Sequence, residues 1–192
     1  MPIPPFSIDG VLPPYVGPSG PGGSFHDMTP YVVTAVEVVS TLATSTMRGS
    51  ILSHWLNHRA ALRALGFQRG FQWLDGSFVE DKDPNDLDVV TFLFRPATVA
   101  GPAELRALMG ANAQLFERAQ VKARYMLDAF FIDLNGSPET IVNFSRYLLG
   151  LFSHRRVDGL WKGMLQVRLE NVADDLAAAA ALAPPPVGGA VP

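Results

Sequence analysis

Cysteine is absent from the 192 residues. That excludes a disulfide framework, a cysteine-ligated zinc or iron–sulfur site, and a cysteine nucleophile. Charge is sparse: 17% of residues are charged, the net charge is −3 and the sequence pI is about 5.7. A general nucleic-acid coat would be basic overall, so that class is set aside, although a local basic face is still open. No run reaches the roughly eighteen apolar residues a membrane helix needs. The opening Met1-Pro2-Ile3-Pro4-Pro5 has neither the basic start nor the apolar run of a signal peptide. These absences lead to the expectation of a soluble, cytoplasmic protein with no membrane partner.

What is present is a globular composition, 48% hydrophobic, in a length that suits one domain. Proline is scarce in the middle and dense at the ends. Eight of the 16 prolines lie in residues 1–30 and four in 184–192. Dense proline opposes helix and sheet. Residues 1–28 therefore read as an extended arm, most flexible from Gly17 to Gly23. Phe6, Ile8, Val11, Leu12 and Tyr15 are apolar enough to lay it along the body. Residues 29–183 read as a single domain, and 184–192 as a flexible tail.

Within the body two periodicities alternate. Thr29-Pro30 predicts a helix start, running to about Ala43, with a Val/Thr-rich strand as the alternative. A second helix spans about Thr46 to Leu65, with Ile51, Trp55, Leu62 and Leu65 on its apolar face and Gly66 as its stop. Strands are predicted at 70–74, 86–94, 127–134 and 163–169. Helices are predicted from Pro102 to about Tyr125 (broken near Gly110), from Ser137-Pro138 to about Phe152, and after Asn171. The resulting class is α/β or α+β, a small mixed sheet flanked by helices.

The chemistry-bearing stretch is 73–90. Residues 75–88 hold six carboxylates (Asp75, Glu80, Asp81, Asp83, Asp86 and Asp88) and one lysine, Lys82. Asp86 and Asp88 are two apart on a predicted strand and so share a face, while Leu87 and Val89 point into the core. Neighbouring carboxylates repel, and a shared cation lowers that cost. Mg²⁺ takes carboxylate and phosphate oxygens together. Gly76 lets the backbone approach a ligand, and Ser77 adds a hydroxyl and an N–H for a phosphate. Asp128, at the start of the next predicted strand, is the first choice for a third carboxylate. Asp133, five residues on, faces the other way in a regular strand.

Gly76-Ser77 followed by Asp86-Leu87-Asp88-Val89, with Leu127-Asp128-Ala129-Phe130-Phe131 behind it, resembles the signature of the DNA polymerase β-like nucleotidyltransferase superfamily. The resemblance covers about residues 70–134. The segments 70–80 and 151–156 are similar to an uncharacterised bacterial branch of small proteins of that fold. The resemblance implies a nucleotidyltransferase-like fold, two Mg²⁺ ions, a bound nucleoside triphosphate, and nucleotidyl transfer with release of pyrophosphate. Asp86, Asp88 and Asp128 would be the metal-holding and catalytic residues. Gly76 and Ser77 would contact the triphosphate, with Lys82, Arg155, Arg156 and Lys162 as further nucleotide-binding residues. The acceptor would be an RNA end, a protein or a small molecule, and small bacterial members often belong to toxin–antitoxin or phage-defence pairs. The alternative is a non-catalytic protein of the same fold that binds a nucleotide or a protein partner, or pairs with itself. One departure stands out: only eight residues separate Ser77 from Asp86, so any connecting helix is short.

Other features have plainer readings. Asp75, Glu80, Asp81 and Asp83 read as solvated loop charges. His54 and His58 are four apart on a helix but lack the glutamate of a zinc-protease motif, and read as core or surface histidines. Residues 154–168 carry His154, Arg155, Arg156, Lys162 and Arg168 against one acid, Asp158. They form either a solvated face or a patch for a triphosphate or nucleic acid, which Lys122 and Arg124 would join. Phe130, Phe131, Phe144, Tyr147, Phe152 and Trp161 read mostly as core.

Overall fold

Five strands form one mixed sheet in the order β1-β5-β2-β3-β4. They are β1 (Tyr31–Val33), β2 (Gly70–Asp75), β3 (Leu87–Leu93), β4 (Leu127–Asp133) and β5 (Leu165–Arg168). The structure is a computed structural model that describes residues 3–18, 20 and 23–183. β1 runs parallel to β5 and β3 parallel to β4, while β2 is antiparallel to both its neighbours. The fold is therefore a mixed α/β arrangement, as the alternation of periods predicts. The predicted tail at 184–192, and part of the Gly17–Gly23 stretch, lie outside the described residues.

Seven helices surround the sheet among the described residues: α1 (Ala35–Leu42), α2 (Thr46–Ala64), α3 (Pro102–Ala111), α4 (Ala113–Phe116), α5 (Arg118–Tyr125), α6 (Pro138–Phe152) and α7 (Val172–Leu182). One sheet face, with Val33, Leu74, Val89, Ala129 and Val167, packs with Val38, Leu52 and Trp55 into the main core. The other face, with Trp73, Val90, Phe92 and Ile132, packs under Leu148 and Phe152 of α6. Strand side chains alternate, so Asp75, Asp88 and Asp128 share parity with Trp73, Val90 and Phe130 and stand on the α6 face. None of the described helices is long and apolar enough to cross a membrane.

Thr29-Pro30 does not open a helix. It leads into β1, whose Tyr31-Val32-Val33 pairs with Leu165-Gln166-Val167, and α1 begins at Ala35. The β-branched pair suits the pleated edge. Thr34 is the true cap: its hydroxyl accepts from Glu37 N–H, and the Glu37 carboxylate accepts from Thr34 N–H. The 102–125 segment breaks into three helices, with Glu117 capping α5 through Ala119 and Gln120 N–H. Three aromatics assigned to the core are exposed instead: Phe144 and Tyr147 on the outer side of α6, and Trp161 beside Tyr15.

The N-terminal arm does lie along the body. Leu12 N–H donates to Val79 O at 3.0 Å and Gly163 N–H to Leu12 O at 2.7 Å. Val11, Leu12 and Ile3 are buried, whereas Ile8 points fully outward.

Candidate active site

The carboxylates are arranged by strand register. Asp75 pairs directly across from Asp88, and Asp88 lies level with Asp128. Asp86, expected to open the strand, lies in the bend just before β3, and its side chain lines the same cavity as Asp88. Four acidic side chains thus converge at one end of the sheet. A cavity of about 330 Å³ opens there. Its lining comes from Gly76, Ser77, Glu80 and Lys82 after β2, and from Asp86, Asp88 and Asp128. Lys122 of α5, Leu151 and Phe152 at the end of α6, and His154, Arg155, Arg156, Val157 and Lys162 of the following hairpin complete it.

Gly76 is required by geometry. Its φ is +75°, and a Cβ there would land on the carboxylate of Asp88. The Gly76 backbone and the Asp88 carboxylate are therefore packed against each other. The short link to β3 is a single 3₁₀ turn, Gly76–Val79, followed by an irregular loop. Arg48 of α2 holds that loop from the core side. Its guanidinium donates to the carbonyls of Phe78 (2.9 Å), Glu80 (2.5 Å) and Lys82 (2.9 Å).

The acids divide by environment. Asp88 is pushed up to about 6, chiefly by burial and further by Asp86 and Asp128. Asp128 is held below the usual carboxylate range by the Arg118 guanidinium, which bonds both its oxygens. Lys122, one turn on from Arg118, places Nζ 2.5 Å from Asp86 Oδ2 and 3.9 Å from Asp128 Oδ2. Among the described residues no three His, Asp or Glu side chains stand ready as a metal cage, and the α5 cations lie against two of the carboxylates.

Asp75 and Glu80 are not solvated loop charges. Asp75 is 2% exposed and is pushed up to about 8, first by burial, with Lys162 pulling the other way. Glu80 is also buried, which raises it, but bonds from Lys82 and the charge of Lys162 hold it below its ordinary value. Both acids are drawn inward by Lys162, a buried lysine placed just before β5.

The predicted nucleotide-binding cations are not equivalent. Arg155 is committed to Asp158, with Nη2 2.5 Å from Oδ2, and to the Asp9 carbonyl of the arm at 2.7 Å. Lys162 is 3% exposed and tied to the turn. Lys82 is half-exposed and paired with Glu80 at 2.6 Å. Arg156 is exposed, lines the cavity, and has no hydrogen-bond or ion-pair partner among the described residues. Asp133 lies at the far end of β4 on Arg95, away from the cluster. His58 is buried against Tyr125 and Phe131 and pushed down to about 4 by burial, so it is a core histidine. Arg48, Arg118, Asp75 and Glu80 are site residues that the sequence reading missed. Arg48 carried a signal, since with Leu52, Trp55, Arg59 and Leu62 it falls on the buried stripe of α2.

The fold and site define a mixed α/β protein with an acidic cluster beside a Gly-Ser turn. The chain belongs to the family of unknown function DUF6932, which it matches over residues 4–168. No curated protein and no solved structure matches it significantly.

Proposed function

We propose that the protein is a Mg²⁺-dependent nucleotidyltransferase that moves a nucleoside monophosphate from an NTP to an acceptor hydroxyl. The observation that carries this reading is the convergence of Asp86, Asp88 and Asp128 with the Gly76-Ser77 turn around one cavity. The donor set fits a magnesium ion, because the three side chains offer only hard carboxylate oxygens. The raised Asp88 fits it too: burial beside two like charges leaves a carboxylate that gains from a cation. Asp86, Asp88 and Asp128 would hold the metal. Bound there, Mg²⁺ would neutralise phosphoryl charge and polarise the attacking oxygen.

The chain's own residues account for the rest. Gly76 leaves room for phosphate against the backbone, and Ser77 offers its hydroxyl and N–H. Arg156 brings an uncommitted guanidinium to the charged triphosphate. Asp128, kept ionised by Arg118, stays anionic across the working pH range. In the transfer the acceptor oxygen bonds to the α-phosphorus, the bond to the leaving pyrophosphate breaks, and the hydroxyl proton passes to solvent or a site carboxylate.

A second reading, a non-catalytic nucleotide binder, draws on one observation: Lys122 and Arg118 already neutralise Asp86 and Asp128 without a metal. A thermal-shift series with each NTP, in Mg²⁺ and in chelator, separates the two. Ligand at 100 times its Kd should stabilise by about 2.7 kcal/mol. The enzyme reading expects a shift that needs Mg²⁺ and is lost in Asp86→Ala/Asp88→Ala. A shift equal in chelator supports the binder, and no shift with any NTP contradicts both.

A further inference from the structure

We infer that Lys162 is a positioning residue that fixes the Gly76-Ser77 turn, and is not itself a ligand of the triphosphate. The inference rests on reading this cavity as a triphosphate site. Lys162 Nζ donates to Gly76 O at 2.6 Å and lies 3.1 Å from Asp75 Oδ1 and 3.4 Å from Glu80 Oε1. An ammonium has three donors, and three acceptors surround this one. Its side chain is buried, so turning it toward the cavity would strip those acceptors of their cation.

The consequence for Asp75 is the decisive one. Lys162, 3.1 Å from Oδ1, is the one ion-pair partner of Asp75 among the described residues. Removing that cation leaves a buried acid with no counter-charge, which must stand ionised and alone or take up a proton. Glu80 has a second cation in Lys82, but Asp75 has no second cation among the described residues. Lys162 is thus committed to the turn, whereas Arg156 has no hydrogen bond or close ion pair among the described residues and acts on Asp88 and Asp128 only through its charge.

The bond to Gly76 O also sets a direction. The peptide unit is planar and trans, so its C=O and the next N–H point opposite ways. Holding Gly76 O therefore fixes where Ser77 N–H aims. Lys162 is itself anchored, because its backbone N–H donates to Ser153 O at 2.8 Å and its neighbour Trp161 pairs with His154. The side chain consequently ties the 154–161 hairpin to the turn, joining two walls of the cavity.

The test uses Lys162→Met and the double variant Asp75→Asn/Lys162→Met. It reads Tm, the Kd for MgATP, and amide exchange at Ser77 and Phe78 without nucleotide. Lys162→Met should lose thermal stability. The double variant should recover most of it, since the amide that replaces Asp75 has no charged form that needs Lys162. It should still bind MgATP about tenfold more weakly, the scale of one lost charge-assisted bond, with faster exchange at Ser77 and Phe78. A role in stability alone predicts wild-type Kd once Tm is restored, and that result overturns the inference. Weak binding with unchanged exchange also overturns it, because it marks a direct ligand. Wild-type protein that binds no MgATP overturns the reading of the cavity instead. The exchange rates then decide the role of Lys162 by themselves.

Discussion

Asp75 is the residue whose surroundings most affect the free protein. It faces Lys162, Asp88 and the Gly76 backbone, and burial pushes it up to about 8. An unfolded aspartate titrates near 3.9. Between those values the folded chain binds more protons than the unfolded one, so stability falls as pH rises. Asp88 contributes in the same sense up to about 6. His58, lowered to about 4, acts oppositely below about 6.5, where the unfolded histidine takes up the proton first. Asp128 and Glu80 are lowered, so their contribution is lost only in more acidic solution. The clean window is therefore pH 6.5–8 in metal-free buffer. Urea midpoints of wild type should fall across it, and those of Asp75→Asn should stay nearly level. Equal slopes for the two proteins would show that Asp75 does not titrate there.

Among the elements, α2 does most to connect the core to the site. Its N-terminal turn supplies Arg48 to the loop after Gly76, and its middle supplies Arg59 to a buried network. Arg59 bonds both oxygens of Asp175 on α7, at 2.7 and 2.9 Å, and Gln72 of β2 at 3.0 Å. Arg63 adds a 2.7 Å pair to the same aspartate. Asp175→Ala would leave two buried guanidinium groups without their carboxylate and should cost about 3–5 kcal/mol in chemical denaturation. A loss below about 1 kcal/mol would mean that the network relaxes onto water or carbonyls.

The elements were largely legible in the sequence, and the reason is local. The 3.6-residue and two-residue periods, Ser137-Pro138 and Asn171 state their own structure. The β1–α1 boundary was not legible, because Thr29-Pro30 reads as a cap until Leu165–Val167 supplies a parallel partner. Asp86, Asp88, Gly76 and Ser77 were visible as candidate site residues from spacing, and Asp128 from its place on the next strand, and all five line one cavity. Asp75 and Glu80 were misread, and the burial of Lys162 went unseen, because burial of a charge depends on a partner about eighty residues away, which local pattern does not report. Arg118 was missed for a related reason: its partner is set by the packing of α5 against β4.

At the scale of the whole molecule, the sheet acts as a platform with an asymmetric cover. The face under α1, α2 and α7 is the larger core, and the α6 face carries the acids at one end. The arm closes the arrangement from outside. It lies between the 79–81 backbone and Gly163, and its Asp9 carbonyl receives Arg155. The 76–82 turn and the 154–162 hairpin are thus held by the arm, by Arg48 and by Lys162 at once. Such redundancy is what the proposed triphosphate site would need to keep its donors fixed around the ligand.

The most direct test of the central claim is a calorimetric titration of ATP into the protein, with and without Mg²⁺, beside Asp88→Asn. That variant keeps the shape of the side chain and removes its charge. The account predicts one saturable site that appears only with Mg²⁺ and disappears in the variant. Equal binding by wild type and Asp88→Asn, or no binding by wild type with any NTP, would contradict it.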